Sequence, residues 1–276
     1  MRRFVTKYVK SCLHCAFAKE PAGPKEGFLH SIPKTDIPFH SIHADHLGPF
    51  VKSSHGNQYL LIIVDAFTKF CVIKALRNTK SQPAIRALKD VFYTFGHPLR
   101  IITDRGTCFT SRDFRKFCEE FEIRHVLNAV SAPRANGQVE RYNRTILDGL
   151  RAYSDRFGEN KWDQELGKIQ WGLNNTMNKG IGKSPAEVLF CSRPLNRGEG
   201  MLGDAVVETR KNDKHPITLR SEVSDHIKND QAQQQVRFNK ARKVARSYAE
   251  GDLVKILKPI PSNDGKSRKL LPKYTG

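Results

Sequence analysis

The 276-residue chain has no apolar run approaching the roughly 18–20 residues that a membrane-crossing helix needs. Its first ten residues, MRRFVTKYVK, are basic but lack the apolar stretch of a secretory signal. There is no internal repeat and no low-complexity tract. Cysteine is sparse and mostly scattered, at Cys12, Cys15, Cys71, Cys108, Cys118 and Cys191. That pattern predicts reduced thiols in a cytosolic or nuclear protein, not a disulfide framework. Acidic side chains are also short in supply: 28 Asp plus Glu stand against 47 Lys plus Arg, a net charge of +19. Such an excess disfavours a basic or metabolite-sized target and favours a polyanion, nucleic acid first. A hydrophobic content of 38% with dispersed aromatics excludes a disordered chain. The length predicts one large domain with attachments, or two domains.

Charge and pattern divide the chain. Residues 1–36 carry a net +4, residues 37–195 +8 and residues 196–276 +7, so the tail is about twice as dense in positive charge as the middle. Residues 19–36, rich in proline and glycine, read as a linker. Phe39–Leu47, Tyr59–Val64 and Lys69–Ala75 read as three strands with no room for a helix between them, hence an antiparallel meander. Helical spacing follows over Pro83–Phe95, with Ser81 as the expected cap, then a strand at Leu99–Thr103, a helix at Ser111–Glu122 and a strand at Ile123–Leu127. A polar loop, Asn128–Asn136, precedes a long amphipathic helix marked by Val139, Tyr142, Ile146, Leu150 and Tyr153. Another helix is expected over Lys161–Asn175. The fold class is therefore α/β: a mixed five-stranded sheet with flanking helices. Beyond a connector, Leu219–Tyr248 reads as one basic helix with a thin apolar stripe of Val223, Ile227, Val236 and Val244. Gly251–Leu257 reads as a strand.

Three acids stand out by context. Asp45 closes an apolar strand before a Gly-Pro break, Asp104 closes LRIIT, and Glu140 lies in the first turns of the long helix, giving D-x58-D-x35-E. Spacing alone is poor evidence, because Asp163 and Glu199 share the x35 interval. Context is better evidence: carboxylates at the ends of adjacent strands converge, and a helix start facing that edge adds a third. Three such groups repel one another unless a cation compensates them. Hard oxygen ligands suit Mg²⁺ or Mn²⁺, and a pair of such ions supports in-line attack on a phosphodiester. His43 and His46 flank Asp45 on alternating faces and read as packing or solvent-facing groups. Asp65 reads as a turn-shaping residue.

The motifs HADHLGPF (43–50), YLLIIVDAFTKF (59–70), IITDRGTCFTSRDF (101–114), APRANGQVERYNRTI (132–146), SPAEVLF (184–190), GDLV (251–254) and PKYTG (272–276) agree in order and spacing with one family. The chain resembles the integrases of gypsy-type long-terminal-repeat retrotransposons, relatives of retroviral integrases. The resemblance implies a ribonuclease-H-like core over residues 37–195, with Asp45, Asp104 and Glu140 as catalytic residues and ligands of two Mg²⁺ or Mn²⁺ ions. It implies a DNA integrase: a polynucleotidyl transferase and endonuclease that trims the 3′ end of element DNA and joins the freed hydroxyl to target DNA. Double-stranded DNA is the implied partner, a homo-oligomer the implied assembly, and the nucleus the implied location after entry from the cytoplasm. Asn136, Asn143, Arg144 and Lys69 are the expected DNA contacts.

The ends depart from the family pattern. Cys12 and Cys15 match half of a zinc site, but the family's His pair upstream is absent here, so residues 1–18 read as a remnant that binds Zn²⁺ only with those histidines. Residues 196–248 read as connector and basic helix, and residues 249–276 as an incomplete SH3-like barrel module. The expectation is thus a polyprotein segment truncated at both ends. The broken end modules keep open a domesticated, catalytically inactive DNA-binding protein derived from an integrase. The Cys pair and GDLV tail argue against a ribonuclease H or a cut-and-paste transposase.

Overall fold

A computed structural model describes residues 2–11, 23–29, 35–128, 137–157, 159–192, 215–252, 254, 256–257 and 274–275. In chain order the elements are α1 (Arg2–Ser11), β1 (Lys25–Glu26), β2 (Ser41–Leu47), β3 (Tyr59–Asp65), β4 (Cys71–Leu76), α2 (Ser81–Phe95), β5 (Arg100–Thr103), α3 (Thr107–Thr110), α4 (Arg112–Glu120), β6 (Arg124–Leu127) and α5 (Gly137–Phe157). A 3₁₀ helix (Glu159–Glu165) follows, then α6 (Leu166–Asn175), α7 (Pro185–Phe190), α8 (Pro216–Asn239), β7 (Arg242–Lys243), β8 (Ile256–Leu257) and β9 (Tyr274–Thr275). Residues 32–231 form one compact unit; residues 1–31 with 232–276 form another.

The larger unit is built on a five-stranded sheet in the order β4-β3-β2-β5-β6. β2, β3 and β4 pair antiparallel, as the short gaps between the apolar runs require, whereas β2-β5 and β5-β6 are parallel. Each parallel step needs a crossover, supplied by α2 and by α3 with α4. Strand alternation sorts side chains to two faces. Ile42, Ala44, Leu61, Ile63 and Ile101 face a core closed by Leu88, Val91 and Phe92 of α2 and by Phe114 and Phe117 of α4. Leu60, Ile62 and Val64 face a second core closed by Tyr142, Ile146 and Leu150 of α5, Trp162, and Leu166 and Ile169 of α6. Because β3 is covered on both sides, it reads as an unbroken apolar run rather than an alternating one.

The edge strand β4 is sealed by side chains rather than by another strand. The Asn174 amide of α6 accepts from Cys71 N and donates to Cys71 O, each at 2.8 Å, and Gln170 Oε1 accepts from Ile73 N at 2.8 Å. These amides stand in for a neighbouring strand and remove an open edge. A third apolar cluster joins Phe67, Ile181 and Val188 to Val223 and Ile227 of α8.

Several boundaries differ from the sequence reading. α2 starts at Ser81 itself with Lys80 at the cap position and no capping side chain; the Ser81 hydroxyl instead donates to Asp113. Ser111 does cap α4, accepting from Phe114 N. Lys161–Asn175 is not one helix but a 3₁₀ segment followed by α6. The switch falls where Trp162 Nε1 reaches back to Val51 O at 2.7 Å and Asp163 accepts from Ser53, Asn57 and His55. Asp163, the decoy of the x35 spacing, is thus a structural clasp. The expected basic helix to Tyr248 stops at Asn239. Val223 and Ile227 of its stripe are buried, but Val236 and Val244 are exposed.

In the smaller unit, β1 pairs parallel with β7, within what the sequence reads as a linker. Glu26 holds that pairing by an ion pair with Lys243 at 3.1 Å, and Leu29 N donates to Asn239 Oδ1 at 2.8 Å. A two-residue strand has no periodic signature to read. The strand expected over Gly251–Leu257 is described only at Ile256–Leu257, paired antiparallel with Tyr274–Thr275. Among the described residues no helix is long and apolar enough to cross a membrane.

Candidate active site

The sheet brings the first two acids together. β2 and β5 are parallel neighbours with Ala44 opposite Thr103, so Asp45 and Asp104 are the next residues on adjacent strands, about 4.8 Å apart along the sheet. Asp45 lies opposite Ile62, and Ile62 belongs to the face packed by α5. Alternation turns Asp45 to that face, and Asp104, following Thr103, continues the same sense. β2 ends two residues beyond Asp45, at Leu47, and the chain turns away at Gly48. Gly48 has φ +135°, and a Cβ there would stand 2.7 Å from Gln58 O, so only glycine fits the exit.

Asp45 is half-buried and tightly oriented. Its Oδ1 accepts from His46 N at 2.9 Å, and its Oδ2 accepts from Asn143 Nδ2 of α5 at 3.0 Å. Asp104 Oδ1 accepts from Gly106 N at 3.0 Å. A Cβ on Gly106 would lie 3.1 Å from that oxygen, so the backbone reaches the carboxylate because the side chain is missing. Glu140 lies in α5 one turn before Asn143; its side chain is outside the described residues, as are Asn136, Cys12 and Cys15. Among the described residues no three His, Cys, Asp or Glu groups gather.

Neighbouring groups tune this corner. His46 points to the other core, its ring 4.9 Å from that of Phe109. Burial holds its pKa below the ordinary value, against the opposing pull of Asp104. His125 is pushed down by burial as well, and its Nε2 meets Thr103 Oγ1 at 2.9 Å while that hydroxyl donates to Asp104 O at 2.8 Å. The two lowered histidines make folding favour the neutral ring. Their contribution is fully present above the ordinary value of 6.5 and is lost as pH falls below it. The expected result is a melting temperature that declines from pH 7 to pH 5, with a shallower decline in His125→Gln.

Of the four expected DNA contacts, Arg144 is exposed on α5, and Asn143 is half-buried against Asp45. Lys69 does not fit its expected role. It is only 4% exposed, with its amine on Ala66 O. The reason is local. Lys69 has φ +65° in a tight turn closed by Asp65, which is wholly buried and accepts from Phe39 N, Thr68 N and Thr68 Oγ1. Asp65 does shape the turn, as expected. Burial, partly offset by those bonds, raises its pKa. Sequence reading did not single out Gly106, His125 or Arg105, whose exposed guanidinium follows Asp104 and donates from Nε to Asn128 O at 3.1 Å. Of these only the RG after Asp104 left a local signal.

The residues present fit a hard divalent cation. A carboxylate offers about four lone-pair sites, hard oxygen donors of the kind that Mg²⁺ and Mn²⁺ take. Asn143 Oδ1, beside Asp45, is buried with no hydrogen-bond partner among the described residues, an acceptor that the water of a hydrated cation satisfies.

Similarity to known proteins agrees with this geometry. Residues 36–133 match the family described as "Integrase core domain". Over 279 aligned positions the chain is 25% identical to the Transposon Tf2-3 and Tf2-4 polyproteins of Schizosaccharomyces pombe, covering 100% of this chain and 21% of each polyprotein. The chain therefore spans about a fifth of the length of the curated relatives it matches. Among solved structures, the cryoEM structure of the simian T-cell lymphotropic virus intasome in complex with PP2A regulatory subunit B56 gamma superposes with a TM-score of 0.55 at 24% identity, covering 69% of this chain and 68% of that one. The HTLV-2 integrase catalytic core domain in complex with magnesium (trimeric form) gives 0.47 at 26% identity, covering 55% and 97%. The sheet and its flanking helices thus resemble in fold the ribonuclease-H-like integrase core. In its core-domain match and its retrotransposon relatives, the chain is similar to an integrase segment of the long-terminal-repeat retrotransposon kind.

Proposed function

We propose that the chain is the DNA integrase of a retroelement, carrying out metal-dependent 3′-end processing and strand transfer. The observation that supports this most is the parallel pairing of Ala44 with Thr103, each immediately followed by an aspartate (Asp45 and Asp104), with α5 tied to Asp45 through Asn143. Asp45, Asp104 and Glu140 hold Mg²⁺ or Mn²⁺ in this reading. When bound, the two ions supply Lewis acidity toward the phosphodiester and lower the cost of charge on the attacking and leaving oxygens. The protein's own part is positioning: the His46 and Gly106 amides fix one oxygen of each aspartate, and Asn143 fixes another.

Double-stranded DNA, both element ends and target, is the proposed substrate, held by Arg144, by Asn136 and by Asn143 beside Asp45. The +19 net charge supports it. Residues 37–195 are the catalytic core, residues 196–248 connect it to a C-terminal module over 249–276, and residues 1–18 bear Cys12 and Cys15 as half of a zinc site, beyond a linker at 19–36. The protein acts as a homo-oligomer in the nucleus.

Strand transfer on oligonucleotides bearing the cognate repeat ends, with Mg²⁺ or Mn²⁺, tests the proposal. Joined product that vanishes with chelator supports it; DNA binding with no product at any metal concentration leaves a non-catalytic binder. DNA affinity should also fall steeply with salt, by about 10³-fold or more between 50 and 200 mM if six or more phosphates are contacted. A flat response in a filter-binding titration would remove the electrostatic argument.

A further inference from the structure

The helix that carries Glu140 and Asn143 has a second polar attachment, one residue from the first. Tyr142 Oη donates to Lys69 O at 2.6 Å and accepts from Asn178 Nδ2 at 3.3 Å. Its ring is 7% exposed, in the core beneath β3 with Ile146 and Leu150. Successive helical residues point about 100° apart. Tyr142 therefore reaches the β3–β4 turn while Asn143 reaches β2.

Apolar packing is non-directional and lets a helix roll or slide by fractions of a turn. A hydrogen bond sets distance and angle. Two of them, on adjacent residues, one to the β3–β4 turn and one to β2, fix the rotation of α5 about its axis. The acceptor is itself immobile, because the turn is held by buried Asp65 through Phe39 N and Thr68, and by the Lys69 amine on Ala66 O. Asn178 is fixed in turn: its Oδ1 accepts from Gly180 N at 2.9 Å, and its N donates to Lys183 O at 2.9 Å. Burial raises the Tyr142 phenol far above its usual range, so the hydroxyl keeps its proton.

We propose that Tyr142 is a positioning residue for the carboxylate site: its hydroxyl, anchored on Lys69 O and Asn178, sets the rotation of α5 that lets Asn143 hold Asp45. The link to catalysis rests on the reading under "Proposed function"; the link to Asn143 does not. Lys69, buried as it is, serves the site through its backbone carbonyl.

The test is Tyr142→Phe in the full chain, with 4-aminophenylalanine at position 142 as the variant that keeps a donor. The first readout needs neither metal nor DNA: solvent exchange of the Asn143 side-chain amide protons, followed by NMR. Exchange should speed up about tenfold in Tyr142→Phe, the loss of one hydrogen bond's worth of ordering, and return toward wild type with the amino analogue. Half-saturating Mn²⁺, measured by electron paramagnetic resonance, should rise about tenfold with it, while DNA affinity stays within about twofold. Unchanged Asn143 exchange and Mn²⁺ affinity in a folded Tyr142→Phe protein overturn the proposal. So does a lower melting temperature with no change in Asn143 exchange below the transition, which marks a purely structural tyrosine. Should the phenylalanine protein not fold, the amino analogue decides: wild-type exchange upholds the proposal and fast exchange overturns it. Wild-type protein that binds no Mn²⁺ sinks the enzymatic reading while leaving the Asn143 exchange result to decide the positioning role.

Discussion

Asp45→Asn is expected to lower strand transfer to below about one-thousandth of wild type, a loss of about 4 kcal/mol or more in transition-state stabilisation. DNA binding should stay within about twofold, since counterion release comes from Lys and Arg on phosphates and not from a carboxylate. The amide keeps the shape of the side chain but halves its acceptors and removes its charge. The His46 and Asn143 bonds then compete for a single good acceptor. Asp104→Asn and Glu140→Gln should behave alike, because ligands that act as one unit are not additive. The measurement is single-turnover joining of labelled repeat ends in saturating Mg²⁺ and Mn²⁺, beside binding by fluorescence anisotropy. An active Glu140→Gln protein would falsify the triad assignment.

Asn174→Ala should be among the most destabilising single changes outside the site, by about 2–6 kcal/mol. It strands both the N–H and the C=O of Cys71, and each buried group left unsatisfied costs about 1–3 kcal/mol. Cys71 and Asn174 are both buried, so water does not readily replace the amide. Urea unfolding monitored by circular dichroism checks this as a lower midpoint. Asn174→Gln should recover little, because a side chain one methylene longer cannot place both amide atoms at 2.8 Å from one residue's backbone. Gln170, with its single bond to Ile73 N, should cost less.

The two predictions draw on different kinds of legibility. Asp45, Asp104 and Glu140 stood out because each ends or begins an element, and element ends leave local marks: an apolar run that stops, a Gly-Pro, a helical period that starts. The apolar runs of β2, β3 and β4, separated by gaps too short for a helix, fixed an antiparallel order in the same way. Asn174 left no such mark. An asparagine near a helix end reads as a terminator, and only the packing of α6 along β4 turns it into a substitute strand. Lys69 misled for the converse reason. A lysine after a turn reads as exposed, yet a left-handed backbone at φ +65° and a buried aspartate fold its amine back onto the chain. The 3₁₀ segment before α6 was hidden too, since Trp162, Leu166 and Ile169 keep helical spacing through it while the Asp163 clasp tightens the backbone.

Sequence alone determined the α/β class and the order of the sheet's apolar runs, and singled out three acids and a family resemblance, because periodicity and short motifs are properties of neighbouring residues. Tertiary structure alone decided that α5 is tied to Asp45 through Asn143 and to a buried turn through Tyr142, that Asn174 closes the sheet edge, and that Lys69 is withdrawn from solvent. The ties of α5 and the closing of the sheet edge depend on hydrogen bonds between residues about 70 to 100 positions apart. Directional bonds of that reach exist only once the helices have settled on the sheet.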